Sequence, residues 1–276
     1  MYSTLMLHLE LESDNAALLD IAGDLAERFN AGVTGIVACQ PLPTVVGDGF
    51  LTGEIIDRDR AAKAAQINAL EKAFRTALQH RARGVAWRAQ LTYDDPTQYI
   101  AEQLRGADLL ITRVNSSGSW LDATGNVNTT DLIMQAGRPV LVVPEHTRKL
   151  VAENILVGWK DTRETRRAIA DALPFLLTAK HVVVVEVVRG DDGISYGRRN
   201  TREVCDWLGR HKIPAEPLAV SAGVDAAAAF EDIAMEQAID LVVAGAYGHS
   251  RFREWVLGGV TRELLLHSKR CALLSH

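Results

Sequence analysis

From Ala244 the chain reads Ala244-Gly245-Ala246-Tyr247-Gly248-His249-Ser250-Arg251, and after Leu257 it continues Gly258-Gly259-Val260-Thr261. The spacing is Gly-x-x-Gly, nine residues, then Gly-Gly. Glycine lets the backbone turn sharply and lets a ligand approach its amides closely. Residues Arg262 to His267 form an amphipathic segment that reads as a helix, with Gly258 and Gly259 near its start. Free N–H groups and the positive dipole end of such a helix favour an anion such as a phosphate. Thr261 would add a hydroxyl to the same anion or cap the helix. A tight turn followed by a helix cap is the alternative reading of these residues.

Other candidate chemistry is weaker. His249 has no second histidine near it in sequence, so it reads as a loop residue donating to backbone or phosphate. Ser250 lacks a G-x-S-x-G context, which argues against a hydrolase nucleophile. Arg251 and Arg253 sit where they could steer phosphates, or simply solvate the loop. Phe252 and Trp255 read as packing residues of a flap. No G-x-x-x-x-G-K-[ST] occurs, nor a G-x-G-x-x-G after either first strand. Phosphoryl transfer needs a metal-holding carboxylate and a positioned nucleophile, and neither is evident. Cys39, Cys205 and Cys271 are odd in number, far apart and free of metal-type spacing. They point to small apolar side chains in a reducing, intracellular setting.

The elements that must position the loop come from a repeat. Leu5 to Leu9, the helical stripe Ala16 to Phe29 and Val33 to Ala38 return in the same order. Their counterparts are Ile155 to Trp159, the stripe Ala168 to Leu177, and Val182 to Val185, an offset of 150. Ala107-Asp108-Leu109-Leu110-Ile111 and Arg138-Pro139-Val140-Leu141-Val142 also return. They match Ile239-Asp240-Leu241-Val242-Val243 and Arg270-Cys271-Ala272-Leu273-Leu274 at an offset of 132. The 18 extra residues of the first half fall around Pro41 to Arg60, a proline- and glycine-bearing stretch that reads as a loop. The segment Arg58 to Lys63 reads as a solvated charged face.

Valine-, leucine- and isoleucine-rich runs without polar alternation are strands buried on both faces, hence parallel strands with helical crossovers. The middle elements of the first half are a helix about Ile55 to His80, a strand Val85 to Leu91 and a helix Thr97 to Leu104. In the second half they are about Arg198 to His211, Ala215 to Val220 and Ala226 to Gln237. The fold class is α/β: two tandem repeats of an open, doubly wound, five-stranded parallel sheet, 1–150 and 151–276. Ligands of such sheets bind beyond the carboxyl ends of the strands. The apolar last strands, Val140 to Val143 and Ala272 to Leu274, invite pairing with each other.

Composition agrees. The chain has 276 residues, 47% hydrophobic and 24% charged, with net charge −5 from 30 basic and 35 acidic residues. That is ordinary globular chemistry, long enough for two domains. A mildly acidic chain lacks the broad positive footprint of a nucleic-acid binder. The apolar runs are too short to span a bilayer. The N-terminal stretch lacks a basic region and places Glu10, Glu12 and Asp14 early, unlike a secretory leader. The expected location is the cytoplasm.

The motif Gly245-x-x-Gly248-x9-Gly258-Gly259 resembles the nucleotide-binding signature of the universal stress protein family, and the repeat resembles its tandem subclass. The sharp motif covers about 17 residues; the order of elements covers nearly the whole chain. The resemblance implies an adenine nucleotide alpha-hydrolase-like fold that binds ATP or another adenine nucleotide, with or without Mg²⁺. Gly245 and Gly248 would approach ribose and phosphates, with His249 between them and the rest of the loop. Gly258, Gly259 and Val260 would hold phosphates through backbone amides, with Thr261 near the end. Val187 would pack near the adenine. The resemblance further implies an intrachain pseudo-dimer of the halves and a homodimer; on the charge and the short apolar runs, neither nucleic acid nor membrane is expected as a partner.

The departures are specific. Where the family closes strand one with an acidic residue, the second half has Lys160. Lysine cannot accept a hydrogen bond, so it would meet a phosphate or pair with Asp161 or Glu164. Gly259 stands at the usual Ser/Thr position, which removes a hydroxyl but keeps the amide. The first half keeps an acid, Glu10. At its loop, Arg113, Ser116 and Asn126 replace Gly245, Gly248 and Gly258. The first half therefore reads as degenerate for ATP. The expected function is a stress-response protein that binds a nucleotide in residues 151–276 and regulates rather than catalyses. The alternatives are a nucleotide-independent scaffold with a relic glycine loop, or a slow ATP hydrolase.

Overall fold

Runs such as Leu5-Met6-Leu7 and Val182-Val183-Val184-Val185 are almost fully buried, as strands covered on both faces must be. The computed structural model describes residues 1–42, 45–46, 49–50, 52–113, 127–222, 226–246 and 270–276. Two compact units divide the chain at Arg138/Pro139.

In the unit Tyr2–Arg138, β1 (Thr4–His8), α1 (Ala16–Phe29) and β2 (Gly32–Cys39) come first. A two-residue antiparallel pair follows, β3 (Val45–Val46) with β4 (Gly49–Phe50). Then come α2 (Gly53–Leu78), β5 (Val85–Leu91), α3 (Pro96–Gln103), β6 (Leu109–Arg113) and α4 (Thr129–Gln135). Strand order is β6-β1-β2-β5, all parallel. The stretch Pro41 to Arg60 is thus not all loop: α2 begins at Gly53. α2 buries only Ile67, Phe74 and Leu78, so its first turns are mostly solvated. Even there Asp59 is tied in, accepting from the Leu42 N–H at 2.8 Å and from Lys63 at 3.2 Å. Asp95 and Asn128 cap α3 and α4 with their side chains.

In the unit containing Pro139–His276, β7 (Val140–Val143) precedes β8 (Asn154–Gly158), α5 (Arg163–Leu176) and β9 (His181–Arg189). Next are α6 (Ile194–Arg210), β10 (Glu216–Ala222), α7 (Ala226–Glu236), β11 (Leu241–Gly245) and β12 (Cys271–Ser275). Strand order is β10-β9-β8-β11-β12-β7. The first four pairings are parallel. The last is antiparallel, with Leu273 opposite Leu141. The two terminal strands of the sequence repeat therefore pair with each other, and β7 lies in the compact unit of the second half.

The repeat is visible in detail. Asp108 accepts from the Ser3 and Thr4 N–H groups at 2.7 and 2.9 Å, pinning the start of β1. Asp240 does the same for β8, accepting from Glu153 at 2.9 Å and Asn154 at 3.3 Å.

Candidate functional site

The carboxyl ends of β8 and β11 lie side by side, with Ala244 in register with Gly158. β8 runs on through Trp159, whose N–H reaches the Val185 carbonyl at 2.7 Å. The Lys160 carbonyl accepts from Thr162 at 2.6 Å. Thr162 then caps α5, accepting from the Thr165 N–H at 3.4 Å. β11 ends in Gly245, and the N–H of buried Ala246 goes to the Ser275 carbonyl at 2.8 Å.

Both strand ends need a small residue, for protein reasons. A β-carbon on Gly245 would sit 2.5 Å from the Thr165 nitrogen and 2.7 Å from the Glu164 carbonyl carbon. A β-carbon on Gly158 would sit 3.0 Å from the Phe230 ring. Gly245 thus admits the first turn of α5, and Gly158 admits a side chain of α7.

Lys160 is exposed, and among the described residues its ammonium has no partner. The ion pairs expected for it do not form, because both carboxylates are taken by arginines. Asp161 pairs with Arg166 at 2.5 Å and Glu164 with Arg163 at 2.5 Å. Burial pushes the Glu164 carboxyl up. The Arg163 guanidinium, a backbone N–H and the Thr162 hydroxyl outweigh that and hold it below the usual range. Among the described residues Lys160 therefore has no carboxylate paired with it at the mouth of β8. Val187 is half-buried on β9, in register with Val220. Gly248, His249, Gly258, Gly259, Val260 and Thr261 lie outside the described residues, as do Phe252 and Trp255.

The same place in the first unit is built differently. His8 ends β1, fully buried, with Nδ1 2.9 Å from the Thr112 hydroxyl. Asn15 holds the next turn, donating to the Glu10 carbonyl at 2.8 Å. Burial raises the Glu10 carboxyl, while the Ser13 hydroxyl and the Arg113 charge pull it down. Arg113, at the repeat position of Gly245, carries a buried Nε with no hydrogen-bond partner. A charged side chain stands where the second unit has none.

A further concave feature has no counterpart among the sequence motifs. A cleft of about 430 Å³ lies between α5 and α6, with Trp159 and Trp207 in its lining. The α6 residues lining it, Asn200, Glu203, Val204 and Trp207, fall at i, i+3, i+4 and i+7. That single helical face is the signal of it that the sequence carries. Among the described residues no group of three or more His, Cys, Asp or Glu could hold a metal ion.

Residues 211–274 match the family model described as the universal stress protein family. No curated protein matches the chain. The fold is similar to that of a universal stress protein from Archaeoglobus fulgidus DSM 4304. That similarity has a TM-score of 0.76 and 12% identity over 99% of this chain and 97% of the other. A protein of Pseudomonas aeruginosa UCBPP-PA14 assigned to the same family gives 0.66 and 16%, over 99% and 93%. The cytoplasmic domain of a prokaryotic cation chloride cotransporter gives 0.53 and 11%, over 99% and 95%. Residues 211–274 thus carry the sequence pattern of the universal stress protein family, and the chain has the α/β fold of the solved structures it resembles.

Proposed function

We propose that the second half, residues 151–276, binds an adenine nucleotide of the ATP type at the carboxyl ends of β8 and β11. Its occupancy alters the 245–261 loop and so regulates association with partners in a stress response. The observation that carries this reading is the family match over 211–274, which contains the whole Gly245–Thr261 motif. The strand ends are compatible with it. The Lys160 ammonium, unpaired among the described residues, offers a charge to a phosphate, and half-buried Val187 an apolar surface to a base. The first half, 1–150, with Arg113 and Glu10 at the corresponding strand ends, serves as its structural partner.

Calorimetric titration of ATP, with and without Mg²⁺, tests the reading. Saturable binding tighter than about 1 mM is expected, corresponding to about 4 kcal/mol. Gly248→Glu should abolish it. The absence of saturable binding overturns the proposal. An unchanged affinity in Gly248→Glu moves the ligand elsewhere.

One observation favours a second reading, the nucleotide-independent scaffold. The glycine at 245 is accounted for by its contact with α5, without any ligand. The same titration separates the two. A homodimer in the cytoplasm belongs to the first reading, and light scattering of the purified chain measures its oligomeric state. Among the described residues, no helix is long and apolar enough to cross a membrane.

A further inference from the structure

The cleft between α5 and α6 joins apolar walls to negative charge. At about 430 Å³ it falls within the size of small-molecule sites. Ile169 of α5 and Val204 of α6 are buried aliphatic walls, and Trp159 and Trp207 stand half-buried in the lining. The Trp159 Nε1–H is turned into the protein, out of an occupant's reach, so that ring has only carbon to offer. His211 packs on Trp207 with ring centroids 4.4 Å apart, which holds the second indole in place. On α6 the polar Asn200 and Glu203 come first and Val204 and Trp207 follow. Asn200 and Trp207 are about 10 Å apart along the helix axis, so the cleft has a polar end and an apolar end.

Three charged residues line it, Asp161, Arg166 and Glu203. Asp161 and Arg166 pair at 2.5 Å and neutralise each other. Glu203 is exposed, and among the described residues no cation is paired with it. A further carboxylate adjoins the polar end. Asn200 donates its amide N–H to Glu186 at 3.2 Å, and the Asn200 carbonyl oxygen has no donor among the described residues. Burial raises the Glu186 carboxyl, the Asn200 amide pulls it down, and the negative charge of Asp161 pushes it up again. Negative charge is thus in excess around the cleft, and the groups left uncommitted at its polar end are acceptors. Such a site disfavours an anion and gains from a cation that donates. An indole is also the best aromatic neighbour for a cation.

We propose that this cleft binds a small amphiphilic ammonium ion, a protonated primary amine on an apolar body. The ammonium donates to the Glu203 carboxylate and to Asn200 Oδ1, and the body lies against Ile169, Val204 and the carbon of the indoles. The site uses no residue of the glycine motif and takes a ligand of opposite charge, so it stands apart from the nucleotide reading.

The test is a titration of the ¹⁵N-labelled full chain with 2-phenylethylamine, followed at the tryptophan indole resonances, with Trp207→Phe identifying the Trp207 signal. A saturable shift of that signal is expected, with half-saturation below about 1 mM. 2-Phenylethanol keeps the ring, the chain and a donor but carries no charge, and it should bind about tenfold more weakly. 3-Phenylpropanoate, the anion of similar shape, should not bind. Glu203→Gln should weaken binding of the amine about tenfold. Glu203→Lys, at an exposed position that leaves the fold intact, should abolish it, and so should Val204→Trp, which fills the cleft. The proposal is overturned if the amine gives no saturable shift at about tenfold above that range. It is equally overturned if the alcohol or the anion binds as tightly as the amine, or if folded Glu203→Lys binds the amine unchanged.

Discussion

Gly245 lies directly against Thr165: a β-carbon on the glycine would stand 2.5 Å from that residue's backbone nitrogen. The neighbour is helix backbone, which cannot swing aside as a flexible side chain can. The glycine that opens the loop is thus required by the packing of α5 on β11, whatever the loop binds.

Gly245→Ala should destabilise the protein by about 1–3 kcal/mol, the usual range for overpacking. Gly209→Ala is the control. Gly209 lies inside α6, and nothing stands within 4 Å of the place an added methyl group would take. Alanine there should add about 0.5–1 kcal/mol. Urea unfolding at constant m reads both. Equal effects of the two substitutions would contradict the packing role of Gly245.

His8 should make stability fall at mildly acid pH. Burial lowers its pKa from 6.5 to about 4, so the folded state resists a proton that the unfolded chain accepts. Between these values the unfolded state binds more protons, and stability rises with pH. The contribution is complete above about pH 6.5 and is lost as pH falls toward 4, on the order of 3 kcal/mol in all. Thr112 donates to the Arg113 carbonyl at 3.3 Å, which leaves its oxygen to accept from a neutral His8 Nδ1–H. In His8→Gln the slope of unfolding free energy against pH should flatten between about pH 4 and 6.5; a slope that persists would assign it to other groups.

The antiparallel seam of β7 and β12 is fully apolar, and Leu141 and Leu273 are each 0% exposed. Truncating either to alanine should cost about 2–5 kcal/mol through lost burial and a cavity. Because the two side chains belong to directly opposed residues, the double variant should depart from additivity by about 0.5 kcal/mol or more in magnitude. Thermal or urea unfolding of the two single variants and the double variant checks this, and strict additivity would mean the residues do not share packing.

The thiols should be sluggish. Burial pushes Cys271 up to about 12 and Cys205 up to about 11, with nearby carboxylates adding to both; burial also raises Cys39. The thiolate is the nucleophile, so at about pH 8 labelling by a disulfide reagent should run about two orders of magnitude below that of the unfolded chain. Rapid labelling of Cys271 in native conditions would show that β12 opens.

The strands, their helices and the order of both were legible because a strand covered on two faces must be written in Val, Leu and Ile, and a crossover helix in a 3.6-residue stripe. Val85–Leu91 falls where its pattern put it, and Asp108 and Asp240 repeat their contacts because the halves repeat their residues. The pairing of the last two strands was legible too, since apolar edges must be covered. Less legible was the helix start at Gly53, where polar residues suit a loop and a solvated helix equally. The sequence by itself therefore determined the α/β class, the internal repeat and the loop that the family match contains. Only the tertiary structure decided that Gly245 answers to α5, that the arginines beside Lys160 take its expected partners, and that Trp159 and Trp207 line one cleft. Such facts depend on side chains distant in sequence meeting at a few ångströms, and periodicity along the chain carries no information about those distances.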